Sequence, residues 1–507
     1  MQVAFATPEL VTPHRSRAGL IVVMVIFLVM RIPMMIQQQA GQDEAFFAAP
    51  GLMVSRGGIP SIPYLPARAE SSVFYHADEV FNSIPPANAY WQSLFFLVLP
   101  DNLFTARMAS ATAGLIAILA IYLLGVRIFS CNATGLLAAA LYSMSRLLFF
   151  PATSTRPDML CGMLGLLAIL AMWNWVTKRQ TKQLIQTGVL LGIAMLTHFF
   201  ALVFCLQIAF WTVISTNGKA QKAKNLGILA GSALLIFALW IPLIMVNTDI
   251  SITQIQNNVF NRAGPGLFSR LIWPWESLSH HCQLLVEHAQ LPQLLLMLVG
   301  ILAIAQSAIT HYHRSTATLA LLTLSGMYLL CTISGVHPAN GYWCYPGALL
   351  ILCVSSATIR LLVRQPWQSS TWKSASCLFA ILVVMIPGFG INAWITHVTN
   401  WNSDDHDREQ ITFQILDAVP ERAKLIVDQS IAFDLYVAGR DVTLSSNSDF
   451  SIDSRGLAGD YLITGPLARQ QGIVDDMHTE FVTSVGEPSD VFAMWIEVYR
   501  IRPQRRP

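Results

Sequence analysis

Charged residues are missing from the stretches where a water-soluble chain would need them. Between residues 102 and 248 the only acidic residue is Asp158. That region carries apolar runs of about 20 residues, the length a helix needs to cross a bilayer. Over the 507 residues, 12% are charged and 54% hydrophobic, against about 25% charged in an ordinary soluble domain. These values exclude a string of soluble domains and a disordered chain. The net charge of +2 shows no basic excess, so nucleic acid is not an expected partner. A polytopic, all-α membrane domain remains.

The first apolar run, 18–36, follows Arg15 and Arg17 and ends in Met-Met-Ile-Gln-Gln-Gln. A cleaved signal peptide would end in small residues, so this run reads as an uncleaved signal-anchor with its N-terminus in the cytoplasm. A polar stretch follows, and then Tyr90–Leu99, apolar but too short to span; it reads as an interfacial helix. Further spans are expected near 106–126, 132–151, 159–177, 183–197, 199–215, 226–246, 291–310, 316–335, 345–363 and 374–397, about eleven in all. The connections that this count places inside carry Arg127; Lys178, Arg179 and Lys182; Lys219, Lys222 and Lys224; Arg314; and Arg360, Arg364 and Lys373. None of them contains Asp or Glu. That is the distribution expected of cytoplasmic loops. The outer side then holds the long loop 37–105, the short loop around Asp158, the loops 247–290 and 336–344, and the C-terminal tail.

The tail is a different body. Of the 29 acidic residues, eleven lie in the first 403 positions and 18 after them. Apolar runs at Leu425–Val427, Tyr461–Thr464 and Val491–Val498 alternate with polar helical stretches, which predicts a small α/β domain. The expected division is a membrane domain over 1–400 and an extracytoplasmic domain over 401–507. The eight Cys show no CxxC pair and the tail has none, so no disulfide framework is read and the thiols are assigned to core or lipid-facing positions.

Three outer features carry candidate chemistry. Asp43-Glu44 follows the first span by seven residues, and a solvated helix flank is the plain alternative. Arg156-Pro157-Asp158 opens another span; a carboxylate at a membrane boundary needs partners or a function, although Asp158 could simply cap its helix. Asp78-Glu79 precedes Ile84-Pro85-Pro86 and reads equally as a solvated loop pair. Among weaker candidates, His198 is a structural histidine or a phosphate contact. His337, Tyr342 and Trp343 are interfacial anchors or sugar-stacking groups.

In order and spacing these stretches resemble the GT-C superfamily of polytopic glycosyltransferases, in the branch with protein O-mannosyltransferases and the lipid A aminoarabinose transferase. Residues 43–58 (DEAFFAAPGLMVSRGG) look like the first-loop Asp-Glu motif, with Phe47 where Tyr is common. Residues 85–91 (PPANAYW) look like the Pro-Pro helix, with Ile84 where a basic residue often stands. Residues 102–110 (NLFTARMAS) resemble the Ala-Arg-Leu segment, and 154–160 (STRPDML) the second-loop acidic motif. The likeness covers about the first 200 residues; beyond them it rests on hydropathy and the polar tail.

The resemblance implies an enzyme of the inner (plasma) membrane that moves a sugar from a polyprenyl phosphate to an extracytoplasmic glycan, lipid or protein. It marks Asp43 as the base, with Glu44 orienting it or holding the loop, and Asp158 positioning the acceptor. Arg156, His198, Arg262, Asp78, Glu79 and Tyr342 become substrate-binding candidates. No cofactor is required by the pattern; a divalent ion at Asp43 and Asp158 stays open, without a His-rich cluster beside them. A secondary transporter would place ionisable groups near the midplane and often shows internal repeats; neither is evident. A non-catalytic membrane scaffold is the other alternative. Reporter fusions test the orientation: fusions at residue 180 should report cytoplasm, and fusions at 260 and 450 the opposite side. A cytoplasmic signal at 450 would overturn the assignment.

Overall fold

The computed structural model describes residues 11–41, 43–65, 67–145, 150–261, 266–311, 314–335, 340–364, 370–385, 390–445, 457–470 and 472–502. Seven helices among them are long and apolar enough to cross a membrane: Pro13–Gln37, Leu103–Phe129, Asp158–Lys178, Lys219–Ile244, Leu291–Thr310, Thr316–Ser334 and Gly341–Val363. An eighth candidate is the pair Trp372–Met385 and Gly390–Thr399 taken together.

This falls short of the eleven spans expected. Three expected spans form helices of only 13, 15 and 14 residues: Asn132–Met144, Thr181–Met195 and Ala201–Ile214. At 1.5 Å per residue, such helices reach roughly 20 Å, against about 30 Å of hydrocarbon. Hydropathy counts apolar residues whether or not they are helical. Leu196, Phe199 and Phe200 keep the stretch between two of these helices largely apolar although the chain turns there. Two of the short helices, Asn132–Met144 and Thr181–Met195, nevertheless reverse the chain. Arg127 donates to Asn174 at 2.9 Å, which joins the far ends of two long helices. His198, just past Met195, returns to within 6.4 Å of the Tyr342 and Tyr345 rings.

Close approach between helices uses glycine. A Cβ on Gly125 would lie 2.7 Å from the Gly135 Cα, so Leu103–Phe129 and Asn132–Met144 pack backbone to backbone. At Gly165 a Cβ would overlap the Phe204 ring.

The expected interfacial helix is Ala87–Phe96. It is turned inside out for a soluble protein: Asn88, Gln92 and Ser93 are buried, while Tyr90, Leu94, Leu97 and Val98 on it or just beyond it are exposed. An apolar outer face suits a helix lying against lipid.

The tail forms a five-stranded mixed sheet from β1 (Lys424–Val427), β2 (Asp441–Leu444), β3 (Tyr461–Thr464), β4 (Thr479–Gly486) and β5 (Trp495–Ile501), in the order β2-β1-β3-β5-β4. β1 is parallel to β2 and β3, and β5 is antiparallel to β3 and β4. The Gln429–Val437 helix makes the crossover that a parallel β1–β2 pair requires. The last strand starts at Trp495 rather than Val491, which is exposed.

The sheet shares a core with the first loop. Phe46, Leu52, Tyr64 and Phe96 belong to one buried cluster with Ile411, Val427, Phe433 and Ile496. Gly165→Val should cost about 1–3 kcal/mol by overpacking against Phe204; a melting temperature in detergent equal to the parent's would contradict this packing.

Candidate active site

The site starts from a charge the membrane body cannot leave unpaired. Arg107 lies one turn inside Leu103–Phe129 and is 1% exposed. Its Nε and Nη2 donate to the two oxygens of Glu44 at 2.9 and 2.7 Å. Its remaining donors reach the carbonyls of Met35 at 2.9 Å, Gln38 at 2.8 Å and Gln39 at 3.2 Å. Glu44 also accepts from the Gly41 N–H at 2.8 Å and the Thr155 N–H at 3.2 Å. The Thr155 hydroxyl donates to the Glu44 carbonyl at 2.9 Å. Burial acts to raise the Glu44 pKa, but Arg107 and these N–H donors outweigh it and hold the carboxyl below its usual range. This knot locks the first loop to the second, so Glu44 has no free oxygen for substrate.

Asp43 is the next residue outward. It stands at the N-cap of Glu44–Ser55 without capping it, and its carboxylate pairs with Arg156 Nη1. Arg156 Nε donates to Asp158 Oδ2 at 2.7 Å. One guanidinium thus bonds both acids, separated by 115 positions in the chain. Asp158 is fully buried. The Tyr345 hydroxyl donates to its Oδ1 at 3.0 Å, and no backbone N–H of its own helix is a partner among the described residues. It is therefore a side-chain anchor rather than a helix cap. Burial disfavours the charge on Arg156, but Asp158 and then Asp43 outweigh it and hold the guanidinium protonated.

Aromatic rings close the surround. The Arg156 guanidinium carbon lies 5.7 Å from the Tyr342 ring and 6.0 Å from that of Phe47. His198 stacks on Phe200 at 4.8 Å, and Phe200 meets Tyr342 edge-on at 4.3 Å. Phe47 also lines a shallow, mostly apolar groove with Pro50, Pro60, Phe81, Ile84 and Pro85, among others.

The other candidates fall elsewhere. Asp78 and Glu79 form a separate exposed network with Arg68, at 2.5 and 3.4 Å, and with His76, which is 2.6 Å from Glu79. No hydrogen bond or ion pair among the described residues joins it to Asp43 or Asp158. Arg262 and His337 lie outside the described residues. The residues present do not fit a resident divalent ion at Asp43 and Asp158, because the Arg156 guanidinium already lies between the two carboxylates. No group of three or more His, Cys, Asp or Glu that could hold a metal occurs among the described residues.

Three contributors were not singled out from the sequence for these contacts. Arg107 and Thr155 stand within the stretches 102–110 and 154–160, and a lone Arg at the start of an apolar span is a further signal. Tyr345 gives none.

Glu44→Gln should destabilise the protein by about 3–5 kcal/mol, the cost of leaving Arg107 buried without its partner. The folded-state carboxyl titrates below the ordinary glutamate value of 4.5. Its contribution is thus present above that pH and is lost as pH falls through the lowered value. Melting curves of both proteins should converge on acidification below about pH 4.5; a constant gap down to the acid limit would count against the pairing.

Comparison with known proteins agrees with this architecture. Residues 83–245 match the family model for dolichyl-phosphate-mannose-protein mannosyltransferase. No curated protein matches by sequence. Among solved structures, ArnT from Cupriavidus metallidurans bound to undecaprenyl phosphate aligns at 13% identity over 95% of this chain and 97% of its own, with a TM-score of 0.56. The Archaeoglobus fulgidus oligosaccharyltransferase tethered to an acceptor peptide aligns at 11% identity over 95% of this chain and 74% of its own, with a TM-score of 0.52. At such identities the structural likeness concerns the fold. The chain is a multi-pass integral membrane protein with an ArnT-like fold, and its residues 83–245 are similar to the dolichyl-phosphate-mannose-protein mannosyltransferase family.

Proposed function

We propose that this protein transfers a sugar from a polyprenyl-phosphate donor to an extracytoplasmic acceptor: a glycan, a lipid or a protein. The observation that carries this reading is the guanidinium of Arg156, held between Asp43 and Asp158 where the loop after the first helix meets the loop before Asp158–Lys178. The family match and the GT-C fold support it, as does the undecaprenyl phosphate bound by the Cupriavidus protein.

The chemistry divides between the two acids by their exposure. The Asp43 side chain is 36% exposed and that of Asp158 is buried. Asp158 and Tyr345 hold Arg156 in place, while Asp43 can exchange its contact with Arg156 for one with an acceptor. An acceptor oxygen attacks the anomeric carbon and forms the new C–O bond. The bond from that carbon to the phosphate oxygen breaks. Its electron pair leaves with the lipid phosphate, whose growing charge faces Arg156. The acceptor's proton passes to Asp43. Tyr342, whose ring lies 5.7 Å from the Arg156 guanidinium carbon, and His198, 6.4 Å from that ring, supply aromatic surface for the sugar.

Transfer of radiolabelled sugar from a panel of polyprenyl-phosphate donors, in proteoliposomes, tests the reading. Asp43→Asn should lower the rate by about 100-fold or more. Asp158→Asn, which keeps the shape and removes the charge, should lower it too, while the protein still inserts and accumulates. Arg156→Lys should also lose rate, because a point charge cannot bridge two carboxylates as a guanidinium does. Parental rates in Asp43→Asn, or no transfer from any donor in the panel, would sink the assignment.

A further inference from the structure

We propose that the C-terminal domain positions the active-site loop, acting through Arg408 at Gln38 and through Tyr64 at Ala45. This inference rests on the sugar-transfer reading only for what the loop does; the coupling itself is read from contacts.

Two routes run from the sheet to the residues flanking Asp43. The first passes through Arg408, which opens the first helix of the tail, Arg408–Ala418. Its side chain is 8% exposed. It pairs with Asp434 on the crossover helix and donates through Nη2 to the Ser430 carbonyl at 3.1 Å. Nη1 reaches out of the tail to the Gln38 carbonyl at 3.4 Å. That same carbonyl accepts from Arg107. One peptide oxygen is therefore shared by the arginine that clamps Glu44 and the arginine rooted in the tail. The positive charge of Arg408 also favours the ionised form of Glu44. A neighbouring stitch runs from Gln37 Nε2 to the Trp401 carbonyl at 3.3 Å.

The second route passes through Tyr64. Its hydroxyl donates to the Ala45 carbonyl at 2.7 Å, two residues after Asp43. Its own carbonyl accepts from the Leu444 N–H at 2.8 Å, at the carboxyl end of β2. Its ring packs 5.3 Å from that of Tyr436 on the crossover helix. Phe46 between these points is buried in the core that the loop and sheet share.

Asp43 needs such support. Among the described residues its one side-chain hydrogen-bonding partner is Arg156, and its orientation is inherited from a backbone held on either side. Gln38 and Ala45 are those two sides, and the tail grips both. A domain that merely tethered an acceptor would not need to bond the backbone of the catalytic loop. Arg408 and Tyr64 are accordingly positioning residues.

The test uses the full-length protein in detergent or proteoliposomes with two variants, Arg408→Met and Tyr64→Phe. Tyr64→Phe keeps the ring and removes only the hydroxyl, so it carries the test if Arg408→Met fails to fold. Hydrogen exchange needs no substrate. Amides of residues 38–47 should exchange about tenfold faster in either variant, with parental exchange in the Asp158–Lys178 helix. In sugar transfer, kcat should fall by up to about 100-fold, the scale of a small misplacement of a reacting group. KM for the donor should stay within about twofold, because Arg156 and Asp158 are untouched. General destabilisation would speed exchange in Asp158–Lys178 as well and would overturn the proposal. So would parental exchange at 38–47, or parental kcat despite faster exchange. Faster exchange confined to 38–47, in a protein that transfers no sugar at all, would support the coupling and count against the sugar-transfer reading.

Discussion

The pairing of Arg107 with Glu44 is the constraint from which the site follows. A guanidinium within an apolar helix is costly unless every charge and donor is met. Here one carboxylate and three carbonyls meet it. The residues that supply them, Met35 to Glu44, form the chain's exit from its first membrane helix. Satisfying one buried charge therefore fixes the path of the backbone that carries Asp43. Thr155 bonds the same carboxylate from the second loop, so Arg156 arrives beside Asp43 as a consequence.

Around that point the fold sorts polar from apolar in a direction opposite to a soluble protein. Asn88 and Gln92 turn inward and both donate to the Thr155 carbonyl, at 3.2 and 2.8 Å. Tyr90 and Leu94, on the same helix, turn outward. The polar groups of Ala87–Phe96 thus become struts for the second loop, and its apolar face is free to meet lipid. The groove beside Phe47 carries no charged lining, while the same ring lies 6.0 Å from the Arg156 guanidinium carbon. The lipid-phosphate donor proposed above has both characters.

The tail and the membrane body are distinct in composition yet continuous in packing. The parallel strands β1 and β2 direct their carboxyl ends toward the first loop, where Leu444 bonds Tyr64. Phe433 of the crossover helix packs 6.4 Å from Phe96 of the interfacial helix. Acid-rich composition marked where the tail begins, but composition cannot say which surface it covers.

What the sequence determined by itself was the class, the order of the helices and the acids of interest, because bilayer length and charge cost act on local runs of residues. Asp43, Arg156 and Asp158 stood out there as ionisable groups at membrane boundaries. Hydropathy overcounted spans at Asn132–Met144, Thr181–Met195 and Ala201–Ile214, because a helix can end inside an apolar run. Only the tertiary structure decided the rest. It separated Glu44, spent on Arg107, from Asp43, its half-exposed neighbour. It placed Asp78 and Glu79 in an exposed network with Arg68 and His76. It brought Tyr345 to Asp158 across 187 positions. Such pairings depend on which helix faces meet, and no local pattern of residue types encodes that.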